Sequence, residues 1–254
     1  MQKFVLIGAP RTGSTLLVQL LNSSPSVKCH YELFNAHELR IDGMDRSAEM
    51  EERNANPMAF LDKISAESNA DVFGFKIFDG HNEELMQELI RRDDWKKLVL
   101  NRRNFLSVYS SRLISQKKAV WSQTLEAGKS ASVAETSAKP TWNETVEFNE
   151  KEFWNLYNRH VSYFQRAVDS LNAAGQHFEY LEYGDLLNEG LVRRVFAYLG
   201  AEQPEALTTN MLRNNTSHIM SRFENKDTVR EFLKGINRSD WVSESDSGWA
   251  LSGQ

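Results

Sequence analysis

The first fifteen residues constrain the fold of this chain more than any other stretch. Residues 4–7 form an apolar run, Phe-Val-Leu-Ile, which predicts a buried β-strand. Residues 8–13 supply two glycines and a proline for a tight turn, and residues 15–21 have the apolar density of a buried helix. A strand, a glycine-containing loop and a helix bring backbone N–H groups and the positive helix end to one spot. The segment therefore predicts an anion-binding site.

The loop differs from that of an NTP-hydrolysing P-loop in one decisive position. The frame is Gly8-x-x-x-x-Gly13-Ser14-Thr15, and Ser14 stands where G-x-x-x-x-G-K-[ST] has its lysine. The nearest cation is Arg11, whose planar guanidinium can hold two oxygens of a phosphate or sulfate. The pattern favours a phosphate-type anion over a Mg-bound triphosphate. A glycine-rich turn without any ligand is the structural alternative.

Residues 10–17, Pro-Arg-Thr-Gly-Ser-Thr-Leu-Leu, resemble the 5′-phosphosulfate loop of the sulfotransferases that use 3′-phosphoadenosine 5′-phosphosulfate (PAPS). The resemblance is strongest to the bacterial and carbohydrate-directed branch, in which Arg-x-Gly-Ser-Thr is common, whereas the cytosolic branch has lysine in this loop. It implies that PAPS is the donor and that the loop binds it through Arg11, Thr12, Gly13, Ser14 and Thr15. It also implies an arginine and a serine, eight residues apart after a later strand, that hold the 3′-phosphate.

A segment that fits this second expectation follows the strand predicted at residues 97–101. Arg103 and Ser111 are eight residues apart, and the resemblance implies that they hold the 3′-phosphate. Phe105 stands where the family usually has proline. The neighbouring residues Arg102 and Ser110 therefore remain alternatives in the register.

Glu32 is the candidate general base. It lies in residues 27–34, Val-Lys-Cys-His-Tyr-Glu-Leu-Phe, which we predict as a second strand. The segment resembles x-Tyr-Glu-x-Phe, whose glutamate is the base in the carbohydrate-directed branch, and a positioned carboxylate can take the proton of an attacking alcohol. His30, on the same face of an extended segment, is the alternative base. A solvated carboxylate without a catalytic role is the structural alternative.

Lys76 and His81 belong to a third predicted strand and its end, residues 71–81. A lysine within an apolar strand is costly unless it meets an anion, and Phe-Gly-x-Lys resembles a family segment whose lysine lies near the transferred sulfonate. A lysine that reaches solvent from the strand end is the alternative. His81 would lie at the carboxyl edge, where it could touch the acceptor.

The chain alternates predicted strands and helices, which indicates a P-loop-like three-layer α/β fold with a mostly parallel sheet. Its 254 residues and 41% hydrophobic content suit a single domain. We expect a charged surface excursion at about 35–70 and a mobile loop at about 122–149, where Trp142 either stacks on a sugar or anchors the loop. The serine-rich tail after Trp241 is expected to fray.

Composition excludes several classes of function. A net charge of −5 gives no general attraction to nucleic acid, and no stretch approaches the roughly 20 apolar residues of a membrane span. The single cysteine, Cys29, fits a reducing compartment, and the N-terminus lacks a secretory pattern. These observations predict a cytoplasmic protein. They leave the oligomeric state open.

The resemblance implies transfer of a sulfonate group from PAPS to an acceptor hydroxyl on a small molecule or glycan, and the resembled branch favours a carbohydrate or glycoconjugate. Glu32 would remove the proton, while Arg11, Lys76 and the loop N–H groups neutralise developing charge. No metal is expected. The alternatives are a P-loop-type small-molecule kinase and a non-catalytic nucleotide-binding homologue.

Overall fold

A parallel sheet forms the centre of the computed structural model, which describes residues 1–138 and 140–244. The strands, in chain order, are β1 (Gln2–Ile7), β2 (Val27–His30), β3 (Arg40–Ile41), β4 (Met44–Asp45), β5 (Val72–Ile77), β6 (Trp95–Asn101) and β7 (Phe178–Glu182). The main sheet has the order β2-β5-β1-β6-β7, with every pairing parallel, and β3 and β4 form a small antiparallel hairpin. The predicted α/β fold with a mostly parallel sheet is confirmed.

Helices cover both faces of this sheet. They are α1 (Ser14–Leu21), α2 (Met50–Ala55), α3 (Pro57–Glu67), α4 (Glu83–Arg91), α5 (Phe105–Lys118), α6 (Val133–Ser137), α7 (Glu150–Ala173), α8 (Glu189–Leu199) and α9 (Lys226–Gly235). One face packs against α3, α4 and α7, and the other against α1 and α8. A third apolar cluster joins α5, α7 and α9 beside the sheet. None of the described helices combines the length and the apolar composition that crossing a membrane requires.

The side chains of β5 alternate between the two faces as a strand requires. Phe73 and Phe75 belong to the cluster on one face, and Val72 belongs to the cluster on the other. Gly74 leaves room for the ring of Phe4 on β1, since a Cβ built on Gly74 would lie 2.3 Å from that ring. The packing of these two strands therefore depends on the absence of a side chain at one position.

The second strand is shorter than the sequence predicts. It ends at His30, and the chain then turns, with the Leu33 N–H bonded to the carbonyl of Tyr31 and the Asn35 N–H bonded to that of Glu32. The prediction of a strand over residues 27–34 is wrong at its carboxyl end. Glu32 consequently lies in the turn after the strand and does not share an extended face with His30.

The excursion and the polar loop are both tied to the body of the protein. In the 35–70 segment, Arg53 is only 2% exposed, although the sequence predicts a solvated charged face there. In the 122–149 segment, backbone bridges join Thr124 to Met211 and Val146 to Phe223. Trp142 is buried in the third apolar cluster, so the anchoring alternative is correct and the sugar-stacking alternative is wrong. The expectation of a frayed tail concerns residues 245–254, which lie outside the described residues.

Candidate active site

The candidate site groups lie at one edge of the sheet, where the parallel strands end. The anion loop follows β1, Glu32 follows β2, His81 follows β5, Arg102 follows β6 and Tyr183 follows β7. Ligands of open α/β sheets collect at the carboxyl ends of the strands. Each of these groups follows the carboxyl end of a strand in the sequence. Because the strands pair in parallel, the groups come together at one edge of the sheet.

The loop after β1 is shaped by two residues with left-handed backbone. Arg11 has φ 69° and Gly13 has φ 92°. A Cβ on Gly13 would lie 2.6 Å from the Tyr183 ring, so glycine is required there both for its backbone angle and for its size. Gly13 is the N-cap of α1 and offers no side chain to the N–H groups of the first turn. Those N–H groups can therefore serve an anion.

Thr12, unlike residues 13–16 of the loop, does not line a cavity. It is fully buried, and its hydroxyl donates to the carbonyl of Ala9 at 2.8 Å. Its backbone N–H bonds to the same carbonyl at 3.3 Å. Thr12 therefore holds the loop in shape, while residues 13–16 line a cavity.

That cavity, which we call the arginine cavity, has a volume of about 130 Å³. Three arginines from distant parts of the chain, Arg11, Arg102 and Arg222, contribute to its wall together with Ser111. Its other lining residues are Gly13, Ser14, Thr15, Leu16, Trp121, Ser122, Thr136, Ser137, Tyr183, Met211, Leu212, Arg213, Asn214 and Asn215. Guanidinium and hydroxyl groups around a helix N-terminus form a donor set for an oxyanion.

Ser111 lies at the centre of a hydrogen-bond network in this cavity. Its Oγ accepts from Arg11 Nε at 2.8 Å and from Asn215 Nδ2 at 3.1 Å. Arg11 also donates to the carbonyl of Trp121. The hydroxyl of Ser110 instead donates to the carbonyl of Ser107 and accepts from Arg222. Of the two serines that the sequence leaves open, Ser111 is in the cavity wall.

Of the two neighbouring arginines, Arg102 is the one that lines the cavity. Its guanidinium lies 3.9 Å from the centroid of the Tyr183 ring, and Nη1 donates to the carbonyl of Arg11 at 3.1 Å. Arg103 points the other way, with 53% of its side chain exposed and Nε 3.2 Å from Glu182 Oε2. Successive side chains at a strand end point to opposite sides, so only one of the pair can face the loop. The geometry favours the Arg102 register over the expected Arg103.

Burial and mutual repulsion act on the arginines of the cavity. The pKa of Arg11 falls to about 10, chiefly because the side chain is buried and secondly because Arg102 is close. The same two causes lower the pKa of Arg222 to about 9. Cations held together against these costs are suited to a multiply charged anion. Within the described part of the chain, no His, Cys, Asp and Glu side chains cluster as a metal site would require.

A second, larger cavity adjoins the first and shares six lining residues with it: Arg11, Ser14, Thr15, Trp121, Ser122 and Met211. It measures about 660 Å³, and we call it the aromatic cavity because exposed aromatic rings contribute to its wall. Trp121 is 52% exposed and Tyr31 is 42% exposed. The remaining lining residues are Pro10, Gln19, Glu32, Asn35, His37, Glu38, Arg40, Lys76, Phe78 and Thr124.

Two of the predicted catalytic residues, Lys76 and Glu32, meet in the wall of the aromatic cavity, next to Thr15, which both cavities share. Lys76 is almost completely buried, and its Nζ lies 3.0 Å from Glu32 Oε1 and 3.0 Å from Thr15 Oγ1. The lysine thus connects the anion loop to the candidate base. Burial lowers the pKa of Lys76 and the neighbouring Glu32 opposes that shift.

His81 lies behind Glu32 and is not part of either cavity wall. Its Nδ1 accepts the Phe78 N–H at 3.2 Å, so the proton of the neutral ring is on Nε2, which faces Glu32 Oε2 at 3.7 Å. Burial lowers the pKa of His81, which favours this neutral ring. The structure thus places His81 beside the candidate base, and contact of His81 with the acceptor stays a prediction.

Residues of the segment 205–222 complete the arginine cavity and were missed by the sequence analysis. Arg213, Asn214, Asn215 and Arg222 lie between α8 and α9, in a stretch without helical or strand periodicity. The run Arg-Asn-Asn at residues 213–215 is the one local signal that could have indicated a polar site. Tyr183 is a further residue of the site that the sequence does not single out, and it lies over Arg102 in the cavity wall.

Known proteins resemble this chain over part of its sequence. Residues 4–117 match the model described as "Sulfotransferase family", a range that contains both motifs of the predicted donor site. No curated protein matches the chain significantly. Among solved structures, the chain is similar to the crystal structure of a sulfotransferase from Alicyclobacillus acidocaldarius, with 14% sequence identity, 94% of each chain covered and a TM-score of 0.48. The resemblance to the sulfotransferase family is confirmed over residues 4–117, while the carbohydrate-directed branch stays a prediction.

Proposed function

Since residues 4–117 match the sulfotransferase family, we propose that this protein moves a sulfonate group from PAPS to a hydroxyl group of an acceptor. The observation that carries the proposal is the junction of the two cavities. The anion loop and the arginines line the arginine cavity, and Lys76 and Glu32 line the open aromatic cavity next to Thr15, which both cavities share.

The arginine cavity suits the donor. The N–H groups of residues 13–15 and Arg11 would hold the 5′-phosphosulfate, and Arg102 with Ser111 would hold the 3′-phosphate. Arginine is suited to this task because its guanidinium donates two parallel hydrogen bonds to a phosphate. A 3′-phosphate site also distinguishes PAPS from ATP and from 5′-AMP.

Glu32 is the proposed general base. Its carboxylate takes the proton of the acceptor hydroxyl while the acceptor oxygen bonds to sulfur and the bond from sulfur to the 5′-phosphate oxygen breaks. Arg11, Lys76 and the loop N–H groups stabilise the charge that develops on the sulfonate and on the leaving phosphate. His81, whose Nε2 is 3.7 Å from Glu32 Oε2, would limit the movement of the carboxylate from behind.

We propose a carbohydrate or glycoconjugate as the acceptor. The aromatic cavity presents two exposed rings, Tyr31 and Trp121, beside the amides of Gln19 and Asn35. Apolar rings with a few polar groups around them bind ligands that have both an apolar face and hydroxyl groups. A sugar ring has both.

Calorimetric titration with 3′,5′-adenosine bisphosphate, 5′-AMP and ATP with Mg²⁺ tests the donor assignment. The wild type should prefer the bisphosphate. Arg102→Ala and Ser111→Ala should reduce that preference at least tenfold, whereas Arg103→Ala, the adjacent matched control, should retain it. A preference for ATP with Mg²⁺ would favour a kinase, and equal affinity for the bisphosphate and 5′-AMP would remove the basis for a PAPS site.

A further inference from the structure

A buried carboxylate, that of Glu244, reaches the guanidinium of Arg102. Its Oε1 lies 2.9 Å from Nη2 and 3.0 Å from Nε of Arg102, and only 10% of its side chain is exposed. Neither the motifs nor the family match includes this residue, which is 142 positions from its partner. An acidic side chain beside a site for anions needs an explanation, because its charge opposes the ligand.

The segment that bears Glu244 is held in place at several points. The Glu244 N–H bonds to the carbonyl of Ser217 at 2.9 Å, and Ser243 forms an antiparallel bridge with His218. Asn104 donates to the carbonyl of Ser243 at 3.2 Å, and the ring of Trp241 is buried in the third apolar cluster. These contacts fix the carboxylate against the start of α5, which is also where Arg102 leaves β6.

Glu244 and two other groups together fix the orientation of Arg102. Glu244 accepts from Nε and Nη2, the carbonyl of Arg11 accepts from Nη1, and the Tyr183 ring covers one face of the guanidinium. Arginine has five N–H donors. These contacts use three of them, which leaves one on each terminal nitrogen, and a pair of that kind can bind a phosphate in bidentate fashion.

The pKa shifts of Arg102 and Glu244 are those of a charged ion pair. Burial lowers the pKa of Arg102, but Glu244 and Tyr183 outweigh burial and raise it. Burial raises the pKa of Glu244, but the charge of Arg102, together with a hydrogen bond from Ser107 and the charge of Arg222, outweighs burial and lowers it. Both side chains therefore stay charged at neutral pH. Against one carboxylate, the cavity still has Arg11, Arg102 and Arg222 for an anionic ligand.

We propose that Glu244 is a positioning residue that holds Arg102 ready for the 3′-phosphate and thereby sets the preference of this site for 3′-phosphorylated adenosine nucleotides. The inference rests on the proposed donor. It assigns a role in donor recognition to the segment 241–244, far beyond the residues that match the family. It also explains why a carboxylate is tolerated in an anion site: the contact is to the side-on edge of Arg102 and leaves the terminal pair for the ligand.

The test compares Glu244→Gln with the wild type in titrations of 3′,5′-adenosine bisphosphate and of 5′-AMP. Glutamine keeps the shape of the side chain and loses the charge. We expect affinity for the bisphosphate to fall about tenfold, while affinity for 5′-AMP stays within twofold. If Glu244 only maintained the structure of the site, Glu244→Gln would lower the affinity for both nucleotides alike. Glu182→Gln, which alters the ion pair of the adjacent Arg103 outside the cavity, is the matched control and should change neither affinity.

A double-mutant cycle adds a second readout. If Glu244 acts through Arg102, Glu244→Gln should have no further effect on bisphosphate affinity in a protein that already has Arg102→Ala. Tighter bisphosphate binding in Glu244→Gln would show that the carboxylate competes with the phosphate, and unchanged binding would show that it does not position Arg102. Either result overturns the inference. A wild type that does not distinguish the bisphosphate from 5′-AMP contradicts the donor assignment itself.

Should Glu244→Gln fail to fold, Glu244→Asp is the second variant, since it keeps the charge and withdraws the carboxylate by one methylene. It should also lose affinity for the bisphosphate selectively. Equal loss for the two nucleotides would contradict the inference in that variant as well.

Discussion

At the residue scale, the contact between Lys76 and Glu32 links donor chemistry to acceptor chemistry. A buried ammonium group is costly unless it is paired and hydrogen-bonded, and Lys76 has both a carboxylate and the Thr15 hydroxyl at 3.0 Å. Thr15 belongs to the anion loop, so a shift of the loop would move the hydrogen-bond partner of Lys76. Movement of Lys76 would in turn change its contact with Glu32. The pair can serve two purposes: Lys76 keeps Glu32 oriented and adds positive charge beside the transferred group.

We expect Glu32→Gln to lower the turnover number by about 10²- to 10⁴-fold, the range that loss of a general base produces. Donor affinity should change little, because Glu32 lies in the aromatic cavity and not in the arginine cavity. Steady-state rates with PAPS and a sugar acceptor, together with a bisphosphate titration, measure the two effects. Glu38→Gln is the control, since Glu38 is an exposed carboxylate in the same cavity. Full activity in Glu32→Gln would assign the base to another group.

At the element scale, helix α2 supports the turn that bears Glu32. Arg53, on α2, donates from Nη1 to the carbonyls of Leu33 and Asn35, both at 2.9 Å. Its guanidinium also lies 5.6 Å from the centroid of the Phe34 ring. These contacts bracket the turn directly after the candidate base. The charged excursion therefore helps to shape the active site, although its composition alone indicates a solvated surface.

Arg53→Met should lower the turnover number about tenfold through a looser Glu32, since hydrogen bonds from a charged group contribute about 1.5–3 kcal/mol. Affinity for the bisphosphate should be unchanged. Rates measured well below the unfolding temperature of the variant separate this effect from lost stability. Arg92→Met, which removes an exposed arginine paired with Asp94, should leave the rate as it is. A drop in donor affinity as large as the drop in rate would contradict the positioning role.

The pairing of β1 with β5 makes a prediction about stability. A Cβ at Gly74 would lie 2.3 Å from the Phe4 ring, and this ring is fully buried. Gly74→Ala should therefore lower the free energy of unfolding by about 1–3 kcal/mol, the usual cost of overpacking a core. Urea unfolding measures the loss. At Gly184, nothing lies within 4 Å of a built Cβ, so Gly184→Ala should be close to neutral. Equal stability of the two variants would mean that Phe4 moves aside at little cost.

At the scale of the whole molecule, local sequence predicts one side of the site and tertiary contacts build the other. The loop at residues 8–15 follows a strand, Lys76 lies within a strand and Ser111 lies on a helix, so the pattern of apolar runs locates them. Arg222 ends a single 3-10 turn and Glu244 lies in an irregular segment, so the sequence around them shows no period. They reach the site because α9 and the residues around it pack beside α5. The choice between Arg102 and Arg103 depends on which side of a strand end faces the loop, and that is set by the pairing of β6.

The same burial that orders the fold makes its stability depend on pH. Burial is the main cause that lowers the pKa of His30 and of His160 to about 4 from the ordinary histidine value of 6.5. Between these pH values the unfolded chain binds more protons at these residues than the folded protein does. The free energy of unfolding therefore rises with pH across this window. The contribution of the two histidines to it is lost as pH falls from 6.5 to 4. Each histidine contributes up to about 3 kcal/mol to that change.

His160→Gln isolates one of the two contributions. The imidazole Nε2 is 2.8 Å from Asn101 Oδ1, and the glutamine amide can donate to the same oxygen. Urea unfolding of the wild type and the variant at pH 7, 6, 5 and 4 should show a shallower fall in the variant, with a slope smaller by up to about 1.4 kcal/mol per pH unit. His37→Gln, at an exposed histidine, should retain the slope of the wild type. If the wild type and His160→Gln fall in parallel, the loss of stability in acid comes from the carboxylates that the two proteins share, and the buried imidazole takes up its proton without unfolding the core.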